Sequence, residues 1–398
     1  MGNLTRLRPV KPFRRGGRRS ERASPWTTAV SLLLSQRWWA ATQNWPDQGG
    51  GWPPVSFASP PKPVATGEGN GAGIDRVDWR AMSKSADLIN ARAHGEHGPR
   101  IAAAPITWGV CEIPGWGEVP GVDHVLDEIA ELGFTGTELG PDGYLPLDPG
   151  ELRHALGSRG LSLVGAFCPL NYRDPGAFVA SHEFGVALAH RLAAVGCHTL
   201  VAADAGDARR SAIAGRVTGA DGLSPDMWAR YGEGLADLAR AIAPLGVRVA
   251  FHPHAATYVE TEAEIDAVMA NTPADLVGLC LDTGHVAYGG GDPVALARRH
   301  AGRVWHVHVK DVSAAVLAQV RAEGLAYPDA IGAGGFVPVG DGLVDFPALV
   351  AELRRVGFDG WYVLEQDVRL GPPWPEQSPR ENAVRSREYL LRQLGSGA

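Results

Sequence analysis

A (β/α)8, or TIM, barrel is the fold class this sequence predicts, and three observations predict it. From residue 99 onward, short runs rich in β-branched and aromatic residues alternate with segments of helical period. Eight such runs fit within roughly 300 residues, the size of a closed parallel barrel, and no GxGxxG follows the first run as an open dinucleotide-binding sheet would require. Four runs in the second half, VRVAFHPH, VGLCLDTGH, RVWHVHVKD and WYVLEQD, end in residues that bind metals or move protons. In a parallel barrel the active site is assembled where strands end, so these groups are expected to meet.

The elements follow in order. IAAAPITWG is the first expected strand and VDHVLDEIAEL the first helix; GTELG is the second strand, and PGELRHALGSRG a helix that stops on glycine. LSLVGAFCPL is strand three, and a long helical stretch over 175–195 leads to HTLVAADAG, strand four. A helix over 225–245 precedes VRVAFHPH, and TEAEIDAVMA separates it from VGLCLDTGH. A helix beginning at Pro293 precedes WHVHVKD, FPALVAELRRVG precedes WYVLEQD, and a last helix spans 378–394.

Residues 1–98 form a separate, amino-terminal extension. The arginine cluster FRRGGRRSER, the tryptophan-rich RWWAATQNWPDQGGGWPP and the glycine-rich GEGNGAG carry no sustained period, which predicts disorder. The arginines precede the apolar run TTAVSLLL, but Gln36 and Arg37 interrupt it and no small-residue cleavage site follows, so a secretion signal is disfavoured. A downstream start, for example at Met82, with the upstream stretch outside the native frame, is an equally physical reading and is preferred over any function for the segment. No window reaches the roughly 18–20 apolar residues of a membrane span.

Composition sets the remaining bounds. With 45% hydrophobic residues and a net charge of -7, the 398-residue chain has material for one large core and no basic bias toward nucleic acid. Cys111, Cys168, Cys197 and Cys280 are scattered, form no CxxC pair and mostly fall in or beside expected strands, as reduced thiols do in a cytoplasmic protein.

Alternation assigns side chains to faces. His306, His308 and Lys310 share one face of strand seven, and Trp305, Val307 and Val309 share the other, which is expected to pack on helices. The same count pairs His252 with His254, and Val363 with Glu365 and Asp367. Polar groups lining a barrel without partners cost a few kcal/mol each, and a shared cation would satisfy them. Singly, Asp282 also reads as a turn or capping residue, His308 as a hydrogen-bonded structural histidine, and Glu365 as half of a buried ion pair. Their joint arrival at consecutive strand ends favours a metal site of His252, Asp282, His308 and Glu365.

The stretches APITWGVCEIPGWG, GFTGTELGPDGYLP, FHPHAATYVETEAEID, CLDTGHVAYGGGDPVAL, RVWHVHVKDV, VPVGDGLVDF and GFDGWYVLEQD resemble the inosose dehydratases, members of the xylose isomerase-like isomerase and epimerase superfamily. The resemblance covers about residues 100 to 394. It implies one divalent ion on an acidic residue of strand five, an aspartate of strand six, a histidine of strand seven and a glutamate of strand eight; the last three fall on Asp282, His308 and Glu365. Strand five departs from that pattern, leaving His252, His254 or a water as the fourth ligand. Strand four carries Asp204 where the dehydratases tend to have glutamate.

The resemblance further implies manganese or cobalt, with zinc or iron also suited to mixed nitrogen and oxygen donors, and a stimulatory thiol such as glutathione. An ion with open positions can chelate a ketone oxygen and an adjacent hydroxyl and stabilise an enediolate, which then loses the β-hydroxyl in a dehydratase or regains a proton in an isomerase or epimerase. Lys310, His254, His285 and Glu138 are the proton-transfer candidates, expected near strand ends facing one pocket. Trp108, Trp116 and Phe167 are expected as apolar walls, and Asp204 and Asp311 as substrate contacts. The implied partner is a small polyol or sugar, with a homo-oligomer left open. A sugar isomerase or epimerase and a noncatalytic sugar-binding barrel are the alternatives; a DNA-repair nuclease is disfavoured because the region after residue 100 is acidic.

Overall fold

The computed structural model describes residues 99–395 except 112, 114, 373, 374, 376 and 377, so the expectations for residues 1–98 lie outside the described residues. Eight parallel strands close into a ring: β1 (Ile101–Ala103), β2 (Gly136–Glu138), β3 (Ser162–Leu170), β4 (Thr199–Asp204), β5 (Arg248–Phe251), β6 (Val277–Asp282), β7 (Val304–Val309) and, last in the chain, β10 (Tyr362–Leu364). β1 pairs with both β2 and β10, which seals the barrel. The intervening β8 (Asp311–Val312) and β9 (Phe336–Val337) form a separate antiparallel pair.

Helices alternate with the strands: α1 (Val122–Glu131), α2 (Pro149–Gly157), α3 (Phe178–Ala194), α4 (Ala208–Ile213), α5 (Pro225–Ile242), α6 (Glu262–Ala270), α7 (Thr283–Tyr288), α8 (Pro293–Arg299), α9 (Ala314–Glu323), α10 (Tyr327–Gly332), α11 (Phe346–Arg355) and α12 (Pro379–Gly395). Their starts follow local chemistry. Asp148, Ser224, Asp292 and Asp345 cap α2, α5, α8 and α11, each followed by a proline in the first turn that has no N–H to leave unpaired. Thr261 and Glu264 form a reciprocal capping box on α6. On α1 the buried side chains Val125, Leu126 and Ile129 make one apolar stripe against the sheet.

A continuous apolar cluster of strand and helix side chains forms the outer shell of the barrel. Inside the ring the floor is narrow and built from small residues, Ala102, Ala104, Val164 and Val363 on one side and Val201, Ala250 and Cys280 on another. Polar residues occupy the layer above. Cys168, Cys197 and Cys280 are buried free thiols; burial pushes Cys197 and Cys280 up to about 12, which keeps them protonated and unreactive. Among the described residues no helix is long and apolar enough to cross a membrane.

Two differences from the sequence-based expectation bear on the site. The first strand ends at Ala103, because Pro105 opens a 3-10 turn over Pro105–Trp108 instead of continuing the ladder. The second is an insertion between β7 and β10. There the β8 and β9 pair, with α9 and α10 between them, lies over the site end of the barrel on its own apolar cluster, which includes Tyr288, Val312, Leu317, Val320, Tyr327 and Phe336.

Candidate metal centre and active site

Strand register brings the expected ligands together. β6 and β7 pair with Asp282 beside His308, and β7 and β10 pair with His308 beside Val363, two residues before Glu365. His252 follows β5 directly, its N–H still donating to Ala202 O at 2.7 Å. The result is a buried group in which one ligand atom from each of His252, Asp282, His308 and Glu365 lies within 4.8 Å of the others. His252 Nε2 lies 3.3 Å from Asp282 Oδ2, and His308 Nδ1 lies 3.3 Å from Glu365 Oε2 and 3.6 Å from Asp282 Oδ2.

The donor set fits a divalent cation. Nδ1 of His308, the nitrogen that faces Asp282 and Glu365, is buried without a hydrogen-bond partner among the described residues, a costly state for a polar atom. Two imidazoles and two carboxylates suit manganese, iron, cobalt or zinc better than calcium. Asp282 combines both readings of its motif: Oδ1 caps α7 by accepting the His285 N–H at 2.8 Å, while Oδ2 faces the two histidines.

Glu138, at the end of β2, stands behind His308. Its Oε1 accepts from His306 Nε2 at 2.7 Å and His308 Nε2 at 3.1 Å. A proton on His308 Nε2 leaves Nδ1 as the lone-pair nitrogen, aimed at Asp282 and Glu365. Burial opposes a charge on Glu138, yet His308 and His306 hold its carboxyl far below the usual range. Gly165 on β3 makes the room, since a Cβ there would lie 2.7 Å from Glu138 Oε1.

Lys310 reaches in from the end of β7. Its Nζ lies 2.8 Å from Asp367 Oδ1, 3.0 Å from Glu365 Oε2 and 3.5 Å from Asp282 Oδ2, and 2.9 Å from His285 Nε2. Burial works against its charge, but Asp282, Asp367 and Glu365 outweigh it and hold the ammonium well above its ordinary value. The glycine of the DTGH motif makes this path open: a Cβ on Gly284 would meet Lys310 Cγ at 2.5 Å. Gly284→Ala is therefore expected to overpack the site and cost about 1–3 kcal/mol, read as a lowered midpoint in chemical denaturation.

His254 and His285 pack against each other with ring centroids 3.8 Å apart and their planes tilted by 36°. His254 Nδ1 donates to the Ala255 carbonyl at 2.5 Å, since a carbonyl oxygen only accepts, so its Nε2 carries the lone pair. Burial, then the neighbouring His252 and Lys310, push His254 down to about 3, and burial with His254 and Lys310 holds His285 well below its ordinary value. Both rings are neutral over the ordinary pH range.

Glu138, His252, His254, His308, Lys310 and Glu365 line one cavity of ≈ 170 Å³, with Phe167, Trp116 and Ile106 as apolar wall; His285, expected to face it, instead lies buried against His254 and Lys310 and does not border it. Two expected substrate contacts are corrected. Trp108 does not border the cavity; it is buried in the shell, its Nε1 donating to Glu128 of α1 at 2.6 Å, because the turn at Pro105 redirects it. Asp311 is also buried away from the cavity, its oxygens taken by the N–H groups of Val312, Gly340, Gly342 and Val344. Asp204 borders the cavity, but its carboxylate is engaged by Arg173 Nε at 2.9 Å and by the N–H groups of Gly206 and Tyr258. Trp305 faces outward as expected but is only half-buried, with the Arg248 guanidinium over its ring.

Asp367 and Tyr327 complete the wall, and sequence reasoning gave neither a role. Tyr327 Oη donates to Asp367 Oδ2 at 2.8 Å. Asp367 was within reach of the alternation argument, two residues after Glu365. Tyr327 comes from the insertion and carries no comparable signal.

A family model described as a xylose isomerase-like TIM barrel matches residues 126–393. The chain is 39% identical over 272 residues to the rhizopine catabolism protein MocC of Rhizobium meliloti, covering 67% of this chain and 81% of that protein. It is 36% identical over 300 residues to the inosose dehydratase of Geobacillus kaustophilus, covering 74% and 94%. Among solved structures it resembles the zinc-bound IolI protein (TM-score 0.57, 14% identity, 75% of this chain and 98% of that one). The probable 3-DHS dehydratase AsbF of Bacillus anthracis is similar in fold as well (TM-score 0.54, 16% identity, 73% and 98%).

Proposed function

The chain belongs to the xylose isomerase-like TIM barrel family, and from that premise we propose that it is a hydro-lyase removing water from a keto-inositol at a single divalent-cation centre. The observation that carries the reading is the buried cluster of His252, Asp282, His308 and Glu365 opening on a small cavity, in a chain 36% identical to an inosose dehydratase. Manganese or cobalt is the proposed ion, and when bound it supplies Lewis-acid polarisation of the substrate ketone.

The residues divide the remaining work. Glu138 and His306 hold His308, and Asp282 and Glu365 complete the ligand shell. His254, which lines the cavity and keeps a lone pair on Nε2, takes the proton from the carbon next to the ketone. The electron pair of that C–H bond enters the enolate, then expels the β-hydroxyl, which leaves as water with the proton His254 has just received. The Lys310 ammonium stabilises the negative charge between those two events. Trp116, Phe167 and Ile106 shield one face of the ring.

The test is proton NMR of the manganese-loaded protein with scyllo-inosose in deuterated water. A deoxy-diketone product, absent with Asp282→Asn, is expected. Deuterium entering the substrate without loss of water would replace this reading with an isomerase or epimerase on the same site, and an unchanged spectrum would remove inosose as substrate.

A further inference from the structure

We propose that the Lys310 ammonium is the second cation of a two-cation site, standing where a second metal ion would otherwise bind and so limiting this barrel to one ion per chain. The inference rests on the metal reading above and goes beyond it.

The geometry around Lys310 is that of a bridged pair. Asp282 Oδ2 and Glu365 Oε2, the two oxygens that face the histidine nitrogens of the first site, are also the oxygens that face Nζ. Carboxylates that bridge two metal ions divide their contacts in this way. Beyond Nζ lies a second donor group, His254, His285 and Asp367, whose ligand atoms lie within 4.8 Å of one another. Lys310 is in contact with two of its members, His285 Nε2 at 2.9 Å and Asp367 Oδ1 at 2.8 Å.

Charge points the same way. Asp282, Glu365 and Asp367 each place a buried carboxylate oxygen within 3.5 Å of Nζ, an acidic pocket that requires a cation.

The slot is also built for an ammonium in particular. Gly284 clears a path for the aliphatic stem, Thr283 Oγ1 accepts the Lys310 N–H at 2.9 Å and donates to the Lys310 carbonyl at 2.6 Å, and Phe336 covers Nζ at 5.2 Å from its ring centroid. Lys310 is the one lysine between residues 99 and 398; every other non-histidine cation there is arginine. A compact ammonium approximates a bound metal ion, whereas a planar guanidinium does not.

The test is metal stoichiometry of the full chain dialysed against excess Mn2+, by elemental analysis and electron paramagnetic resonance. Wild type is expected to hold one uncoupled ion, and Lys310→Ala two ions with the spectrum of a spin-coupled pair. Ethylammonium added to Lys310→Ala is expected to displace the second ion and restore one. Lys310→Ser serves as a second variant should the alanine protein not fold. One ion in a folded variant, or two in wild type, overturns the inference and leaves the first site standing. No ion in wild type removes the metal reading itself, and this inference with it.

Discussion

Asp282→Asn is expected to empty the centre and lower kcat/KM for dehydration by roughly 10³-fold or more, the equivalent of several kcal/mol of lost transition-state stabilisation. The carboxylate is fully buried and its Oδ2 faces His252, His308 and Lys310 together, so a neutral amide weakens the ligand shell at its centre. The fold should survive. An asparagine oxygen still accepts the His285 N–H that caps α7, now made at 2.8 Å, and the change in unfolding free energy should stay within about 1–3 kcal/mol. Metal analysis of the purified variant beside a denaturation curve checks both halves. Retention of one Mn2+ per chain with activity within tenfold of wild type would sink the assignment.

The second large effect belongs to Glu138. Its Oε1 accepts from both His306 and His308, so Glu138→Gln is expected to loosen the tautomer and aim of His308 and raise the dissociation constant for Mn2+ by about 10–100-fold. Activity at limiting metal should fall by the same factor and return in excess Mn2+. That recovery separates a positioning residue from a proton-transfer group. Were kcat to remain depressed by roughly 10²-fold or more at saturating metal, Glu138 would take part in the chemistry directly.

The barrel and its ligand set were legible because the physics that specifies them is local. A short apolar run with a polar residue at its end fixes a strand, and alternation within HVHVK decides that His306, His308 and Lys310 point inward together. What escaped depended on contacts distant in sequence. Trp108 was assigned to the cavity by treating IAAAPITWG as one strand, but Pro105 ends the ladder and the indole finds Glu128 instead. Asp311 looked like a free carboxylate near a strand end, and only the fold shows that the 340–344 turn supplies three N–H groups to it. Tyr327 was invisible for a related reason: β8 and β9 are two residues each, too short for any period to register.

The insertion that carries Tyr327 rests on an apolar cluster distinct from that of the barrel shell. The ligands all come from barrel strand ends, whereas Tyr327, Pro328 and Ile331 on the cavity wall come from the insertion. Part of the cavity wall is thereby written on a stretch of chain separate from the ligands. A library of substitutions over residues 325–337 can explore new polyols without disturbing the floor, and its effects should combine nearly additively with changes to the ligands wherever the two sets share no contact. The barrel is in that sense a reusable engine under an exchangeable roof, with the Tyr327 to Asp367 hydrogen bond as the seam between them.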